Sequence, residues 1–402
     1  IAVGDDDQNI YEFRGSDSAH MQSLIDEYGA TRYELVENYR SKANIVALAN
    51  RFAESISHRM KRHPIEAVQN ENGTVQIIRH TSDNMEEAIV RQIIEQYHGG
   101  KVCVLTGTNE EALRVMGLLL KNGVRAKLIQ SLDGFRLYNL AEVRFFLRCI
   151  DRDLKTPVIG NDLWNEAKEE LAHVYSDSIC LENLANMISE FEKVNTYSKY
   201  RTDLEEFIKE SQFEDFYTDD RETVFVSTIH KSKGREFDSV WLLLNHTVLR
   251  DDAERRKLYV GMTRAKDNLY IHCNNGIFDT YQISGVDQFV DEEQYPEPQE
   301  ITLQLTHKDV VLDFFKDKKE IIFKLHSGMP LSIKDEFLYA ELDGCTVKVA
   351  KLSKAHMLEL ENLSAKGYRP CGGEVRFVVA WKGESDIEET AVLLPNLHFK
   401  KD

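Results

Sequence analysis

The segment that most constrains the fold is residues 224–272, in which two apolar strands flank a basic loop. Residues 224–228 alternate as a half-buried strand does, and residues 240–244 form the continuous apolar run of a strand covered on both faces. The loop between them reads His230-Lys231-Ser232-Lys233-Gly234-Arg235-Glu236. Cations, a glycine and one carboxylate are therefore predicted at the edge of a parallel sheet, where α/β proteins bind ligands.

The same segment also provides the crossover that two parallel strands require. Residues 254–262 are typical of a helix with a charged first turn, and residues 269–273 are typical of another buried strand. Arg264 is therefore predicted at the boundary between a helix and a strand.

Two stretches of this segment resemble motifs V and VI of the UvrD/Rep-type superfamily 1 DNA helicases, in which the patterns TxHxxKGxEF and YVxxTRA recur. Residues 228–237 read TIHKSKGREF and residues 259–265 read YVGMTRA. Arg235 stands where many relatives carry Leu, which removes no chemical group. The resemblance implies the second RecA-like lobe of such a motor.

By this resemblance, Arg264 reaches the γ-phosphate of ATP from the second lobe, and Glu236 binds the nucleotide ribose with Gly234 beside it. Thr228 and His230 are implied to contact the DNA backbone. From residue type alone, His230 could equally be a neutral surface or capping histidine.

The beginning of the chain resembles motif III, VGDxDQxIYxFRG, at residues 3–15. The resemblance implies that Gln8 senses the γ-phosphate, and that Tyr11, Phe13 and Arg14 bind single-stranded DNA by base stacking and phosphate pairing. The alternative for the two rings is an ordinary pair of core aromatics. The run of aspartates at residues 5–7 could suggest a metal site, but a turn after a strand explains it equally well.

Asn38-Tyr39-Arg40-Ser41, followed by an apolar helical pattern at residues 45–56, resembles motif IV. In that resemblance Tyr39 stacks on adenine and Arg40 reaches the γ-phosphate. A planar ring and a bidentate fork suit those two targets.

The phosphate-binding half of such a motor is not in this sequence, which contains no GxxxxGK[ST] loop and no acidic Walker B box before motif III. The chain opens in mid-strand, so we expect it to be a fragment. ATP and Mg²⁺ would then be held mainly by an N-terminal RecA-like lobe of the same protein. On its own the chain is expected to hydrolyse no ATP.

The amino-acid composition limits which classes of protein and of partner remain possible. The formal net charge is −18, which by itself argues against nucleic acid. Between residues 228 and 266, however, nine Lys or Arg face five acids, a local balance of +4. The six cysteines show no CxxC pair, which favours reduced thiols in a cytoplasmic protein without a metal site. No apolar run approaches the roughly 20 residues of a membrane span, so no membrane partner is expected.

The fold class predicted is α/β, a RecA-like lobe with a parallel sheet and helices on both faces, a helical insertion, and a small β-rich C-terminal domain. We predict strands near residues 32–36, 75–78, 102–105, 125–129 and 320–325, a helix near residues 306–317, and a loop or linker over residues 57–73. The predicted divisions are 1–30 (end of the first RecA-like lobe), 31–150 (second lobe, first part), 151–222 (helical insertion, short for a 2B-like accessory domain), 223–290 (second lobe, second part), 291–300 (linker) and 301–402 (appended domain).

The function expected is the C-terminal half of an ATP-dependent helicase that moves 3′ to 5′ on single-stranded DNA and separates strands at junctions of single-stranded and duplex DNA. The C-terminal domain could dock a protein partner or nucleic acid, but no residue there identifies either. Two alternatives stay open: a binding module without ATP turnover, and a subunit of a helicase-nuclease repair complex.

Overall fold

The computed structural model describes residues 1–10, 19–57, 59–96, 99–132, 134–152, 156–218, 222–382 and 389–402. The α-helices there are, in chain order, Ala19–Asp26 (α1), Ala43–Ala53 (α2), Glu86–Gln96 (α3), Asn109–Lys121 (α4), Ala141–Ile150 (α5), Asn161–Val174 (α6), Leu181–Val194 (α7), Arg201–Glu210 (α8), Asp252–Met262 (α9), Lys319–Ile322 (α10) and Lys354–Ala365 (α11). The strands there are Glu37–Asn38 (β1), Glu66–Ala67 (β2), Thr74–His80 (β3), Val102–Thr106 (β4), Ala126–Leu128 (β5), Val158–Ile159 (β6), Lys199–Tyr200 (β7), Val224–Thr228 (β8), Phe237–Leu244 (β9), Ala265–Cys273 (β10), Asp287–Asp291 (β11), Glu300–Gln304 (β12), Pro330–Lys334 (β13), Phe337–Leu342 (β14), Cys345–Lys351 (β15), Tyr368–Trp381 (β16) and Thr390–Lys401 (β17). They fall into two compact units, Ile1–Ile129 with Asp219–Glu297, and Gln130–Thr218 with Pro298–Asp402.

The first unit is built around a seven-stranded parallel sheet in the order β11-β3-β10-β9-β4-β8-β5. Every strand of this sheet except β11 lies where the apolar runs predicted one. The residues of β4 and β8 are buried along the whole length of both strands. The prediction of a half-buried strand at residues 224–228 is therefore wrong, because β8 lies inside the sheet between β4 and β5 and is covered on both faces. The predicted α/β class with a parallel sheet is confirmed.

Helices cover both faces of this sheet. On one face Ile89 of α3 and Leu119 of α4 share a hydrophobic core with Val104 of β4. On the other face Gly261 of α9 packs on β9, where an added Cβ would lie 3.0 Å from Leu242. The glycine therefore lets α9 approach the sheet closely.

The edge strand β11 has no counterpart among the predicted strands. It pairs in parallel register with β3, yet Phe289 and Val290 are 49% and 62% exposed. Since two adjacent apolar residues between polar ones give no period of two, periodicity could not indicate this strand. The strand predicted at residues 32–36 is wrong, because the first strand is β1, which begins at Glu37 and pairs with β2.

A chain of buried polar side chains crosses the first unit. Trp241 Nε1 donates to Gln92 Oε1 at 2.8 Å, and His272 Nε2 lies 2.9 Å from the same oxygen. His272 Nδ1 lies 2.8 Å from His80 Nε2, and His80 Nδ1 lies 2.9 Å from Asp291 Oδ2. Burial, reinforced by His80, holds the pKa of His272 well below its usual value. His272 is therefore neutral and ties β10 to α3 and β3.

The second unit contains a six-stranded antiparallel sheet in the order β12-β17-β16-β13-β14-β15. The predicted β-rich C-terminal region is thus confirmed. Its longest pair is β16 and β17, whose register shifts at residues 370–372 and 375–377. Such irregularities bend and twist a long hairpin.

The division of this half of the chain differs from the predicted one. Phe146 of α5 and Trp164 of α6 belong to the same hydrophobic core as Val378 of β16 and Leu393 of β17. The helical segment and the C-terminal strands, predicted as an insertion and a separate domain, therefore form one unit. Residues more than 200 positions apart along the chain supply the two sides of a single core, which local patterns cannot reveal.

Local predictions in this unit also need correction. In place of a helix over residues 306–317 there is only a 3₁₀ turn at Leu312–Phe315, and in place of a strand over residues 320–325 there is the short helix α10. The helical segment also contains the short strand pair β6 and β7, where no strand was predicted. The predicted linker ends in β12, which begins at Glu300.

Helices in the described part of the chain are too short or too polar to cross a lipid bilayer. All six cysteines are free thiols, of which Cys345 and Cys371 are exposed.

Candidate nucleotide and DNA site

Arg264 lies in the turn between α9 and β10, as its position in the sequence predicted. Only 2% of the residue is exposed. Its Nε donates to Val260 O at 3.0 Å, and its Nη1 donates to Arg235 O at 3.2 Å. Burial, helped by the nearby charge of Arg40, lowers the pKa of Arg264 to about 10, so the group stays charged at neutral pH.

The guanidinium of Arg264 forms no ion pair with any residue that the structure describes. Within the described ranges, no carboxylate lies within 4.0 Å of its guanidinium, and Nη2 instead donates to Gln8 Oε1 at 3.0 Å. A buried charge that is not paired is costly. The arrangement therefore favours an anionic ligand at this guanidinium.

Gln8 is held in a fixed orientation by the residues before it. It ends the 3₁₀ turn Asp6–Gln8, whose N-cap is Asp5. The Gln8 Nε2 group donates to Asp5 Oδ2 at 2.8 Å, which leaves Oε1 directed at Arg264. Asp5 accepts a hydrogen bond from the amide nitrogen of Gln8 and so fixes the direction in which the amide points. The amide oxygen therefore faces Arg264 and accepts its hydrogen bond.

The aspartates at residues 5–7 do not form a cation site. Their carboxylate oxygens lie within 4.8 Å of one another, but Arg59 and Lys61 pair with Asp7 and Asp5, and Met60 N donates to Asp6 Oδ2 at 2.6 Å. Arg59 holds the fully buried Asp7 with two hydrogen bonds of 2.8 and 2.7 Å. Lys61 Nζ lies 2.7 Å from Asp5 Oδ1 and 3.6 Å from Asp7 Oδ2. These carboxylates do not fit Mg²⁺, which needs oxygens free to coordinate it.

Sequence reasoning missed Arg59 and Lys61, because residues 57–73 were predicted to be a loop or linker. The signal available was charge: a basic run at residues 59–63 and an acidic run at residues 5–7 are the partners of a buried cluster. Only the tertiary structure brings them together across about 50 residues of sequence.

Arg40 and Glu236 come together at the same edge of the sheet. Arg40 Nη2 forms an ion pair with Glu236, and Nη1 donates to Thr263 O at 3.3 Å. Lys266 Nζ lies 3.3 Å from the other oxygen of Glu236. Burial acts to raise the pKa of Glu236, but Arg40 and Lys266 outweigh it and hold that pKa below its usual value.

One N–H group of Arg40 has no hydrogen-bond partner among the residues that the structure describes. Its Nε is buried and has no hydrogen-bond partner within the described ranges. Beside it in sequence, Tyr39 is 67% exposed and its hydroxyl donates to Glu37. An orphaned guanidinium donor and an exposed ring fit a phosphate oxygen and a planar base.

The basic loop after β8 starts at Thr228, which is buried, and continues through a 3₁₀ turn at His230–Ser232. Gly234 has φ +86°, a conformation that side chains with a Cβ rarely adopt, so the turn requires glycine here. Burial and the charge of Arg264 lower the pKa of Lys233. The loop thus adds cationic groups next to Arg264.

The predicted nucleotide-directed residues Gln8, Arg40, Glu236 and Arg264 therefore converge. The predicted DNA contacts at Tyr11, Phe13 and Arg14 lie outside the described residues.

The sequence of the chain is similar to those of known proteins. Residues 33–159 and 157–276 match the UvrD-like helicase C-terminal domain. The chain belongs to the UvrD-like helicase family. This UvrD-like chain is 23% identical to DNA helicase II of Rickettsia typhi, over 78% of the chain and 62% of that relative. It is 22% identical to the ATP-dependent DNA helicase Rep of Buchnera aphidicola, over 67% of the chain and 57% of that relative.

A third relative matches a shorter stretch of the chain at a higher sequence identity. The UvrD-like chain is 32% identical to the ATP-dependent DNA helicase UvrD1 of Mycobacterium tuberculosis, over 37% of the chain and 20% of that relative. The chain spans less than two thirds of the length of these relatives. The resemblance to a UvrD/Rep-type helicase, found first in the motifs, is thus confirmed, and the roles of individual residues stay predictions.

Proposed function

We propose that this chain is the C-terminal part of an ATP-dependent DNA helicase motor that moves 3′ to 5′ along single-stranded DNA and separates strands at junctions with duplex DNA. The observation that carries the proposal is the buried, charged Arg264, whose partners among the described residues are Gln8 and backbone carbonyls and not a carboxylate. A phosphate would supply the missing negative charge.

The nucleotide is proposed to be held as follows. Arg264 and the orphaned Nε of Arg40 face the γ-phosphate, and Gln8 senses it. Tyr39 stacks on adenine, while Glu236 binds the ribose at the turn that Gly234 allows. ATP, when bound, supplies the phosphoryl group whose hydrolysis drives movement. Mg²⁺ is assigned to a P-loop lobe, since Asp5 and Asp7 already pair with Lys61 and Arg59 and Asp6 already accepts from a backbone N–H.

DNA is proposed to lie along the basic loop, with Thr228 and His230 at its backbone, and against Tyr11, Phe13 and Arg14. Loss of the γ-phosphate would remove the anion that Arg264 faces and so change the affinity between the two RecA-like lobes. Each cycle would then shift the grip on single-stranded DNA. The free thiols of the chain suit a reducing cytoplasm.

The test joins the chain to a P-loop-bearing RecA-like lobe and measures ATP hydrolysis with and without single-stranded DNA. Arg264→Ala is expected to lower the DNA-stimulated rate by roughly 10³-fold or more, as loss of a phosphate-facing arginine does in other nucleotide hydrolases. Arg264→Lys, which keeps the charge but loses the fork, should recover only part of the rate. The matched control is Arg114→Ala, because Arg114 pairs with Glu86 at 2.6 Å and has no proposed role.

Direction of movement is tested by the release of streptavidin from a biotin at one end of an oligonucleotide. Release from the 5′ end but not from the 3′ end is expected. DNA binding without hydrolysis in the joined protein would instead favour the binding-module alternative. Equal rates for Arg264→Ala and Arg114→Ala would remove Arg264 from the proposed site.

A further inference from the structure

The C-terminal sheet has a solvent-facing surface on which aromatic rings and lysines alternate. We call it the aromatic–lysine face. It is made by the strands β13, β14 and β15 together with the 3₁₀ turn at Leu312–Phe315. Its members are Phe314, Lys318, Lys334, Phe337, Tyr339 and Lys348.

The strand register places these side chains on one face. Lys334 of β13 lies opposite Phe337 of β14, and Tyr339 of β14 lies opposite Lys348 of β15. The alternate residue Leu338 is fully buried and belongs to the core of the unit. Since successive side chains of a strand point to opposite faces, Phe337 and Tyr339 point away from that core.

The rings and the cations form a continuous strip. Lys318 Nζ lies 4.9 Å from the ring centre of Phe314, and the ring centres of Phe314 and Phe337 are 6.1 Å apart. Lys348 Nζ then lies 4.0 Å from the ring centre of Phe337 and 6.0 Å from that of Tyr339. All three rings keep part of their surface in solvent.

The lysines of the strip are not neutralised. Within the described ranges, Lys318, Lys334 and Lys348 have no carboxylate partner. Nearby Lys351, by contrast, pairs with Glu336 at 3.0 Å. These three ammonium groups are therefore free to pair with the phosphates of a polyanion.

We propose that the aromatic–lysine face binds single-stranded nucleic acid. The three ammonium groups contact phosphates, and the exposed sides of Phe337 and Tyr339 stack on bases. Single strands are favoured over duplex because the faces of the bases are free to stack only when the strand is unpaired. The face lies in the second unit, outside the motifs that define the proposed motor, and its binding requires no ATP.

The experiment measures the affinity of the 402-residue chain for a labelled oligothymidine by fluorescence anisotropy at several salt concentrations. In the face variant, Lys318, Lys334 and Lys348 are changed to Gln. If each lysine contacts one phosphate, the slope of log K against log salt becomes shallower by about 2, since each contact in a single strand contributes about 0.7. Tyr339→Leu should weaken binding by about fivefold or more at constant salt, because a stacked base is lost.

The control variant carries Lys168→Gln, Lys193→Gln and Lys209→Gln. These lysines belong to the same unit and change the net charge equally, but each pairs with a glutamate at 2.6–2.9 Å. The salt slope of this variant should equal that of the wild type. Circular dichroism of both variants establishes that each is folded.

Cross-linking separates this face from the proposed DNA site of the first unit. A 4-thiothymidine oligonucleotide should cross-link to a peptide containing residues 337–348, also in a His230→Ala background. Equal salt slopes for the face variant and the control variant would overturn the proposal. So would cross-links confined to the first unit, equal affinity for duplex, or equally effective competition by polyglutamate. None of these results depends on ATP hydrolysis, so they leave the proposed motor function to its own test.

Discussion

The buried ion pair between Arg59 and Asp7 should be among the most sensitive contacts of the first unit. Asp7 has no exposed surface, and Arg59 binds both of its oxygens at 2.7–2.8 Å. Arg59→Met keeps the apolar stem but leaves a buried carboxylate without its main partner. Breaking a buried pair in this way costs about 3–5 kcal/mol.

The matched control is Arg79→Met. Arg79 also binds an aspartate, Asp279, at 2.8 Å, but the two side chains are 48% and 49% exposed. Exposed pairs contribute about 0–1 kcal/mol because water screens them. The two pairs therefore have similar distances but differ in burial, and Arg79 makes one hydrogen bond where Arg59 makes two.

The assay is pulsed hydrogen exchange with mass spectrometry across a urea series, which follows peptides of the first unit separately from those of the second. We expect Arg59→Met to lower the free energy of unfolding of these peptides by about 3 kcal/mol or more, and Arg79→Met by less than about 1 kcal/mol. The double variant Asp7→Asn with Arg59→Met should recover part of the loss, since no buried charge remains. Equal, small losses in both single variants would refute the assignment of Arg59 as the neutralising partner of Asp7.

Three further predictions concern stability. The free energy of unfolding of the first unit should fall as pH drops below about 6.5, because burial keeps His272 neutral in the folded state while the same side chain binds a proton in the unfolded state. His272→Gln should weaken this dependence of the free energy on pH in urea titrations. Burial raises the pKa of Glu142 in the second unit, so the contribution of Glu142 to the free energy of unfolding is present at low pH and is lost as pH rises above about 4.5. Glu142→Gln should therefore stabilise this unit at pH 8 and not at pH 4. The opposite trend would contradict this prediction. Gly73→Ala should destabilise the first unit by at least about 1–3 kcal/mol, because the new Cβ would lie 1.7 Å from a backbone oxygen, whereas Gly117→Ala, in open space within α4, should stabilise by about 0.5–1 kcal/mol in thermal melts.

Much of the first unit could be predicted because its signals are local. Apolar runs such as residues 102–105 and 240–244 are too short for helices and are bounded by polar turns, which is sufficient to assign buried strands. The crossover helix predicted at residues 254–262 is α9, which begins at Asp252 after the N-cap Asp251. β11 was not predicted, because an exposed edge strand needs no regular apolar pattern.

The second unit was harder to predict for a physical reason. Its core joins helices of residues 141–210 to strands beyond residue 300. A helix whose apolar face packs on a distant strand has the same local pattern as one that packs on its neighbour. The sequence therefore indicated the elements but divided them between two domains.

The sequence by itself determined the family and the parallel α/β sheet, and it predicted which residues face the nucleotide, because motif residues and apolar periods lie in short stretches. The tertiary structure alone decided how those residues act on one another. It turns Gln8 toward Arg264, leaves one donor of Arg40 without a partner, and neutralises Asp7 with Arg59. Burial and pairing are properties of residues far apart in the chain, so only the folded molecule fixes which charges are satisfied and which remain for a ligand.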